Sequence, residues 1–337
     1  MPRTGRLHIP GGCYHVIGRG LERRYIFADT EDKRDFLSRF EANLARCQAD
    51  CLAWALMSNH YHLLIRINHT PLSELMAPLL GGFGGYYNRR HRRSGYVFQN
   101  RFRSVLVDAD NYLKELVRYI HLNPVRAGMI ENVNELESYQ WTGHAGVHGR
   151  HRQRWHNISA MLGFFGCSQE SALLSYGEFL ADIKSSDSFT SLSGGGLVRS
   201  AGNWEALTNL RREHIVSIGD ERILGDASFV ERALKQDELK LNFKSHLAES
   251  GWSLDRLVRE VCTMCSVDER DIKKRTRQKQ ASAAKSLICY WGTRILGISA
   301  RKIAAKLEIT HTAVSYRVKR GTDYCESNEI EFEDLIR

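Results

Sequence analysis

The stretch Cys51-Leu-Ala-Trp-Ala-Leu-Met57-Ser-Asn-His60-Tyr61-His62-Leu-Leu-Ile-Arg-Ile67 decides how the first half of this chain folds. Two apolar runs, Cys51 to Met57 and His60 to Ile67, are separated only by Ser58-Asn59, which reads as two strands joined by a tight turn. Strand side chains alternate between faces, so His60 and His62 emerge together on one face while Tyr61 points to the other. Two neutral imidazoles side by side suit one divalent metal ion. A lone His-aromatic-His is more often structural, so the pair gains meaning only if a nucleophile shares its metal.

Outward from this hairpin the elements alternate. Tyr14 to Arg19 is a short strand ending at Gly20, and Glu31 to Cys47 is a helix with Phe36, Leu37, Phe40 and Leu44 on one face. Pro71 opens a second helical stretch that runs to about Arg93, weakened in its middle by Gly81 to Gly85. Phe102 to Val107 is a strand, and Asn111 to Leu122 a helix stopped at Pro124. Strand, helix, two strands, helix, strand predicts an α+β fold with helices on one face of a sheet. From about Trp155 the pattern turns helical. The Ser- and Gly-rich stretch 185–196 reads as a linker, which divides the chain into 1–150, a helical connector over 151–265, and a basic helical unit over 266–337.

A length of 337 residues with 42% hydrophobic content allows two or three domains with real cores. No apolar run reaches the roughly 18 residues of a membrane span, and no apolar core follows the basic N-terminus, so a cytoplasmic protein is expected. Lys and Arg number 48 against 39 Asp and Glu, an excess that favours a polyanionic partner such as nucleic acid. The eight cysteines are scattered. Only Cys262 and Cys265 have zinc-like spacing, and without a second close pair they read as reduced thiols.

The helix 111–122 supplies the candidate nucleophile. Tyr119 lies four residues before Asn123, which puts both on one helical face. A phenol with a pKa near 10 is a weak nucleophile at neutral pH. It attacks phosphorus readily only where a metal polarises the phosphate and offsets developing charge. The amide oxygen of Asn123 is a candidate third ligand, and Tyr112 on the same helix competes for the nucleophile's role. Gly81-Gly82-Phe83-Gly84-Gly85 lacks the Lys-Ser/Thr ending of a nucleotide-binding loop.

Four stretches together resemble the single-tyrosine, His-hydrophobic-His transposases with an IS200-like domain, and most closely the REP-associated tyrosine transposases. They are 14–20 (Tyr-His-Val-Ile-Gly-Arg-Gly), 57–64 (Met-Ser-Asn-His-Tyr-His-Leu-Leu), 98–102 (Phe-Gln-Asn-Arg-Phe) and 119–128 (Tyr-Ile-His-Leu-Asn-Pro-Val-Arg-Ala-Gly). The resemblance spans most of residues 1–145. It implies a ferredoxin-like antiparallel sheet and a Mg2+- or Mn2+-dependent strand transferase acting on single-stranded hairpin DNA. His60 and His62 would be the metal ligands, and Tyr119 would capture a 5′-phosphate and free a 3′-hydroxyl. Asn123 stands where relatives often carry Gln. Relatives are dimeric or monomeric, so monomer and homodimer both stay open. A regulator that binds DNA without cutting it, and a phosphodiesterase that uses water, are the competing readings.

Between residues 86 and 103 there is no acid, while Arg89, Arg90, Arg92, Arg93, Arg101 and Arg103 interleave with Tyr86 and Tyr87. Such a surface holds phosphates and stacks unpaired bases. Gln99 and Arg126 are further candidate DNA contacts. Near the C-terminus, Ser299 caps a helix over 300–307, and Thr310 caps a second that ends at Gly321. This helix-turn-helix leaves His311, Thr312, Ser315 and Arg317 for a duplex major groove. The span 277–320 resembles the DNA-binding domain of the replication initiator DnaA, which together with the transposase resemblance implies a nucleoid-associated protein with two DNA contacts.

Overall fold

The computed structural model describes residues 5–182, 220–274 and 278–336. Five strands form one mixed sheet: β1 (Cys13–Arg19), β2 (Asp50–Leu56), β3 (His60–Arg66), β4 (Arg103–Val107) and β5 (Ile223–Leu224), in the order β2-β3-β1-β4-β5. The first four are antiparallel, and β5 joins β4 in parallel. With α1 (Thr30–Cys47) after β1, and α2 (Leu72–Arg90) between β3 and β4, the connectivity and strand order are ferredoxin-like.

Alternation explains the two faces. Tyr14 and Val16 of β1, Trp54 and Leu56 of β2, and Tyr61, Leu63 and Ile65 of β3 bury against Phe36 and Phe40 of α1 and Leu79 and Phe83 of α2. Truncating any of these fully buried phenylalanines to alanine should cost about 3–5 kcal/mol. Gly18 is required on that face, because a Cβ there would run into the Tyr61 ring. The other face of the sheet holds Leu52, Ala53, Ala55, Leu64, Val105 and Val107 under α3 (Ala109–Arg126).

The α+β class stands, but helices on one face describe only α1 and α2. Helix α3 covers the opposite face together with the short α4 (Gly143–Val147), α5 (Ile158–Leu162) and the longer α6 (Gln169–Ala181). Because both faces are covered, the strands are apolar on both sides. Two helices also outrun their sequence signals. α2 passes through Pro78 and its glycines because Leu72, Leu75, Met76, Leu79, Phe83 and Tyr87 keep one face buried. α3 continues through Pro124 to Arg126, losing one backbone donor in its last turn. Backbone bonds from Ala127 to the Asn123 carbonyl and from Met129 to the Pro124 carbonyl then close it. The stretch 185–196 lies outside the described residues.

The chain divides into two compact units, 1–237 and 238–337. α7 (Ala227–Glu249) spans that boundary. Within the second unit, α8 (Leu254–Met264), α9 (Lys279–Arg294), α10 (Ala300–Leu307) and α11 (His311–Asn328) enclose Leu257, Leu287, Trp291, Ile303, Leu307 and Val314. Ser299 and Thr310 cap α10 and α11 as their sequence suggests. Gly321 does not end α11: it is buried mid-helix, where a Cβ would meet the Ser286 carbonyl oxygen and lie 2.6 Å from Tyr290 Cβ. Gly321 is a close-approach residue between α11 and α9, and the helix ends seven residues later, with Glu329 in the left-handed conformation.

Candidate active site

The site forms on the α3 face of the sheet, at the end where β3 begins. Register places Arg19 opposite His60, Ile17 opposite His62 and His15 opposite Leu64, so His15, His60 and His62 share that face. The His60 and His62 rings lie 5.1 Å apart between centroids, edge to face. Tyr119 of α3 stands over them, with its ring 5.4 Å from that of His62 and 6.0 Å from that of His15, nearly perpendicular to both. The guanidinium of Arg126 lies 5.9 Å from the centre of the Tyr119 ring.

The imidazoles are neutral at physiological pH. Burial, assisted by the charge of Arg19, brings His60 down to about 4. Burial with Arg103 brings His15 to about 3. Burial, reinforced by His15 and His60, holds His62 well below the usual histidine range. Neutral rings keep a lone pair for a metal ion. His60 Nδ1 is 2.7 Å from Asn59 Oδ1, and His62 Nδ1 is 2.9 Å from His15 Nε2. Asn123 donates its Nδ2 to the Tyr119 carbonyl at 2.9 Å, which leaves Oδ1 as the acceptor end. The two neutral imidazoles on one face are the donors that the structure brings together. Among the described residues no group of three or more His, Cys, Asp or Glu is placed to hold a metal by itself.

Tyr112 does not join this group. Its half-buried ring packs against the core under α3, and burial followed by the charges of Asp108 and Asp226 raises its pKa. Carboxylates beside the hydroxyl are also the wrong company for a phosphate.

The candidate DNA residues divide. Arg89, Arg92, Gln99, Arg101, Arg103 and Arg126 are exposed, as are His311, Thr312 and Ser315 in the second unit. Arg93 is half-buried, 5.6 Å from the centre of the Tyr87 ring. Arg90 departs from the expected set: it bonds Asp29 at 2.7 Å, Glu31 at 2.8 Å and the buried Asp32 at 2.8 Å, tying the end of α2 to the start of α1. Arg317 likewise turns inward, donating to the Ser282 carbonyl at 3.2 Å. Tyr86 and Tyr87 pack in or against the core rather than offering faces to bases.

Among the described residues of the first unit, the exposed tyrosine rings are instead Tyr25 and Tyr96, at 63% and 84% exposure. Their loops are anchored at the His60 end of the sheet. Gly20 donates to the Asn59 carbonyl, Ile26 and Phe27 to that of Ser58, Leu21 to that of Val97, and Gln99 to that of Arg19. Glu22 and Arg23 hold positive φ values of 53° and 61° in the first loop, and Arg92 holds 50° near the second. Such strained backbone concentrates at functional sites. Sequence reasoning missed His15, Tyr25 and Tyr96. Only a cross-strand register reveals the first, and only exposure distinguishes the other two from the remaining tyrosines.

Residues 10–123 match the family described as Transposase IS200 like. The chain is similar to a solved structure described as a REP-associated tyrosine transposase bound to a REP hairpin. That likeness has 15% identity and a TM-score of 0.37, and covers 45% of this chain and 88% of the other. No curated protein matches the chain. No described helix is long and apolar enough to cross a membrane.

Proposed function

We propose that residues 1–150 cut and rejoin single-stranded DNA at the foot of a REP-like hairpin, through a covalent 5′-phosphotyrosine on Tyr119. The observation that carries this reading is the Tyr119 ring set edge-on above His62, on the face that also presents His60. His60 and His62, with Asn123 as the third candidate, would hold Mg2+ or Mn2+. Bound there, the ion would polarise the scissile phosphate and offset charge on its oxygens.

The residues then have separate tasks. The Tyr119 oxygen forms a bond to phosphorus as the bond from phosphorus to the 3′-oxygen breaks. The phenol loses its proton, and the departing 3′-oxygen gains one to leave as a hydroxyl. The phosphotyrosine keeps the energy of the cleaved diester, so attack by a 3′-hydroxyl reverses the step without a nucleotide cofactor. Arg126 beside the phenol ring contributes positive charge where the phosphate would lie. Arg89, Arg92, Arg101 and Arg103 hold the flanking backbone, and Tyr25 and Tyr96 stack unpaired bases.

In the second unit, α11 begins with exposed His311, Thr312 and Ser315, which we assign to a duplex major groove. The unit so anchors the chain to duplex DNA, as a monomer or a homodimer.

Incubation with labelled single-stranded hairpin DNA and Mn2+ should give a covalent protein–DNA adduct that chelator prevents and Tyr119→Phe abolishes. An adduct that persists in Tyr119→Phe sinks the nucleophile assignment. Nicked DNA without adduct points to hydrolysis by water, and binding without any cleavage points to a regulator. Tyr96→Ala should weaken binding of single-stranded DNA by about 5- to 100-fold, the effect of one lost base–ring stack, in a fluorescence anisotropy titration. Unchanged affinity would remove Tyr96 from the DNA path.

A further inference from the structure

We propose that His15 is a positioning residue of the metal centre: it accepts the Nδ1 proton of His62 and thereby turns the Nε2 lone pair of His62 toward the ion. The inference rests on the reading of His60 and His62 as metal ligands. A neutral imidazole has one N–H and one lone pair, and the partner of one nitrogen decides what the other offers. Both ligands have such a partner, reached from opposite sides.

For His60 the assignment is forced. Its Nδ1 lies 2.7 Å from Asn59 Oδ1. The Asn59 amide cannot be turned over, because its Nδ2 already donates to the Arg23 carbonyl at 3.0 Å. An amide oxygen only accepts, so His60 Nδ1 carries the proton and Nε2 the lone pair.

For His62 the equivalent partner is His15 Nε2 at 2.9 Å. Antiparallel pairing sets this up. His15 faces Leu64, and Ile17 faces His62, which makes His15 and His62 diagonal neighbours on one sheet face. Their rings are nearly parallel, tilted by 21° with centroids 5.2 Å apart, and both are buried. One proton lies between the two nitrogens. With His62 Nε2 engaged by a cation, that proton belongs to His62 Nδ1, and His15 keeps its own on Nδ1.

Metal-bound histidines commonly donate their second N–H to a carboxylate or carbonyl, which fixes ring orientation and raises basicity. A carboxylate at position 15 would place a buried negative charge beneath Tyr119, where a phosphate must come. A neutral imidazole gives the same acceptor without that repulsion. The short path from His15 to both His62 and Tyr119 therefore explains the choice of residue as well as its place.

Mn2+ binding to the full chain without DNA, followed by the loss of the free-ion electron paramagnetic resonance signal, tests the role apart from catalysis. His15→Phe keeps a ring and removes the acceptor, and should weaken Mn2+ binding about 10- to 100-fold. His15→Gln restores an accepting oxygen and should recover most of the affinity. Wild-type affinity in a folded His15→Phe overturns the proposal. A wild type that takes up no Mn2+ overturns the metal reading itself, and the positioning role with it. Should His15→Phe fail to fold, 15N-histidine spectra of the Mg2+-loaded wild type decide: a proton on His62 Nδ1 supports the role, and a proton on Nε2 overturns it.

Discussion

Helix α3 carries two histidine-rich groups, and they differ in what their nitrogens meet. Tyr119 faces His15 and His62. His121, two residues on and so roughly 200° round the helix, faces His144, His156 and Tyr176. In this second group the Tyr176 hydroxyl lies 2.8 Å from His121 Nδ1 and 2.6 Å from His144 Nδ1, and His156 Nε2 donates to the Leu52 carbonyl at 3.0 Å. His121, His144, His156 and Tyr176 are all buried, and Gly143 fills the gap between the rings of His121 and His156. The first group instead leaves His60, Tyr119 and Asn123 partly exposed. The same residue types thus serve two ends. One group is buried around the Tyr176 hydroxyl and joins α4 and α6 to α3, with no hydrogen-bond partner among the described residues for His121 Nε2 or His156 Nδ1. The other keeps side chains partly exposed where a ligand can reach.

The open group depends most on Tyr119. Tyr119→Phe should remove the covalent DNA adduct altogether, whereas Tyr112→Phe should leave it, as read on denaturing gels. Tyr176→Phe tests the buried group. It strips the partner from two buried imidazole nitrogens and should cost about 2–4 kcal/mol in urea unfolding, while Mn2+ affinity stays at the wild-type value. A stability loss below 0.5 kcal/mol, on the scale of about 1–3 kcal/mol for one unsatisfied buried group, would show the group is not sealed. Gly143→Ala should cost about 1–3 kcal/mol, because the new methyl would lie 2.7 Å from His121 Nε2 and 2.8 Å from His156 Cε1. Thermal melts showing an unchanged Gly143→Ala would mean that the rings have room to give.

The smallest effect is in pH dependence. Burial holds His144 at about 3 and His156 at about 4, against 6.5 for the ordinary side chain. On acidification the unfolded chain takes up these protons first, so their stabilising contribution is complete above pH 6.5. It declines as pH falls toward 4 and then 3. His15, His60 and His62 are shifted the same way and add to the slope. The informative quantity is therefore a difference: His156→Asn should flatten the fall in urea midpoint between pH 6.5 and 4.5 relative to wild type. Parallel curves would exclude His156 as a contributor.

Much of this was legible in local pattern. Strands β1 to β4 begin and end within a residue or two of where apolar runs do, and the periodicity of α1 points to the face it buries, whereas β5, two residues in a stretch read as helical, left no pattern to find. The errors share a cause. Pro124 and Gly321 signal helix ends locally, but packing of α3 on the sheet and of α11 on α9 carries each helix past them. Arg90 and Arg317 look like free cations in a basic run, yet the first meets Asp29, Glu31 and Asp32 and the second the Ser282 carbonyl. Tyr86 and Tyr87 sit beside arginines in sequence while their rings turn to the core.

By itself the sequence determined the hairpin that puts His60 and His62 on one face, and the helix that puts Tyr119 and Asn123 on another. Strand alternation and helical pitch are properties of a short stretch of backbone and need no distant partner. Tertiary structure alone decided that Tyr119 rather than Tyr112 meets the histidines, that His15 reaches His62, and that His121 reaches Tyr176. Each of these depends on which strands pair, in what register, and which helix crosses them. A one-residue slip of β1 against β3 would send His15 to the other face of the sheet.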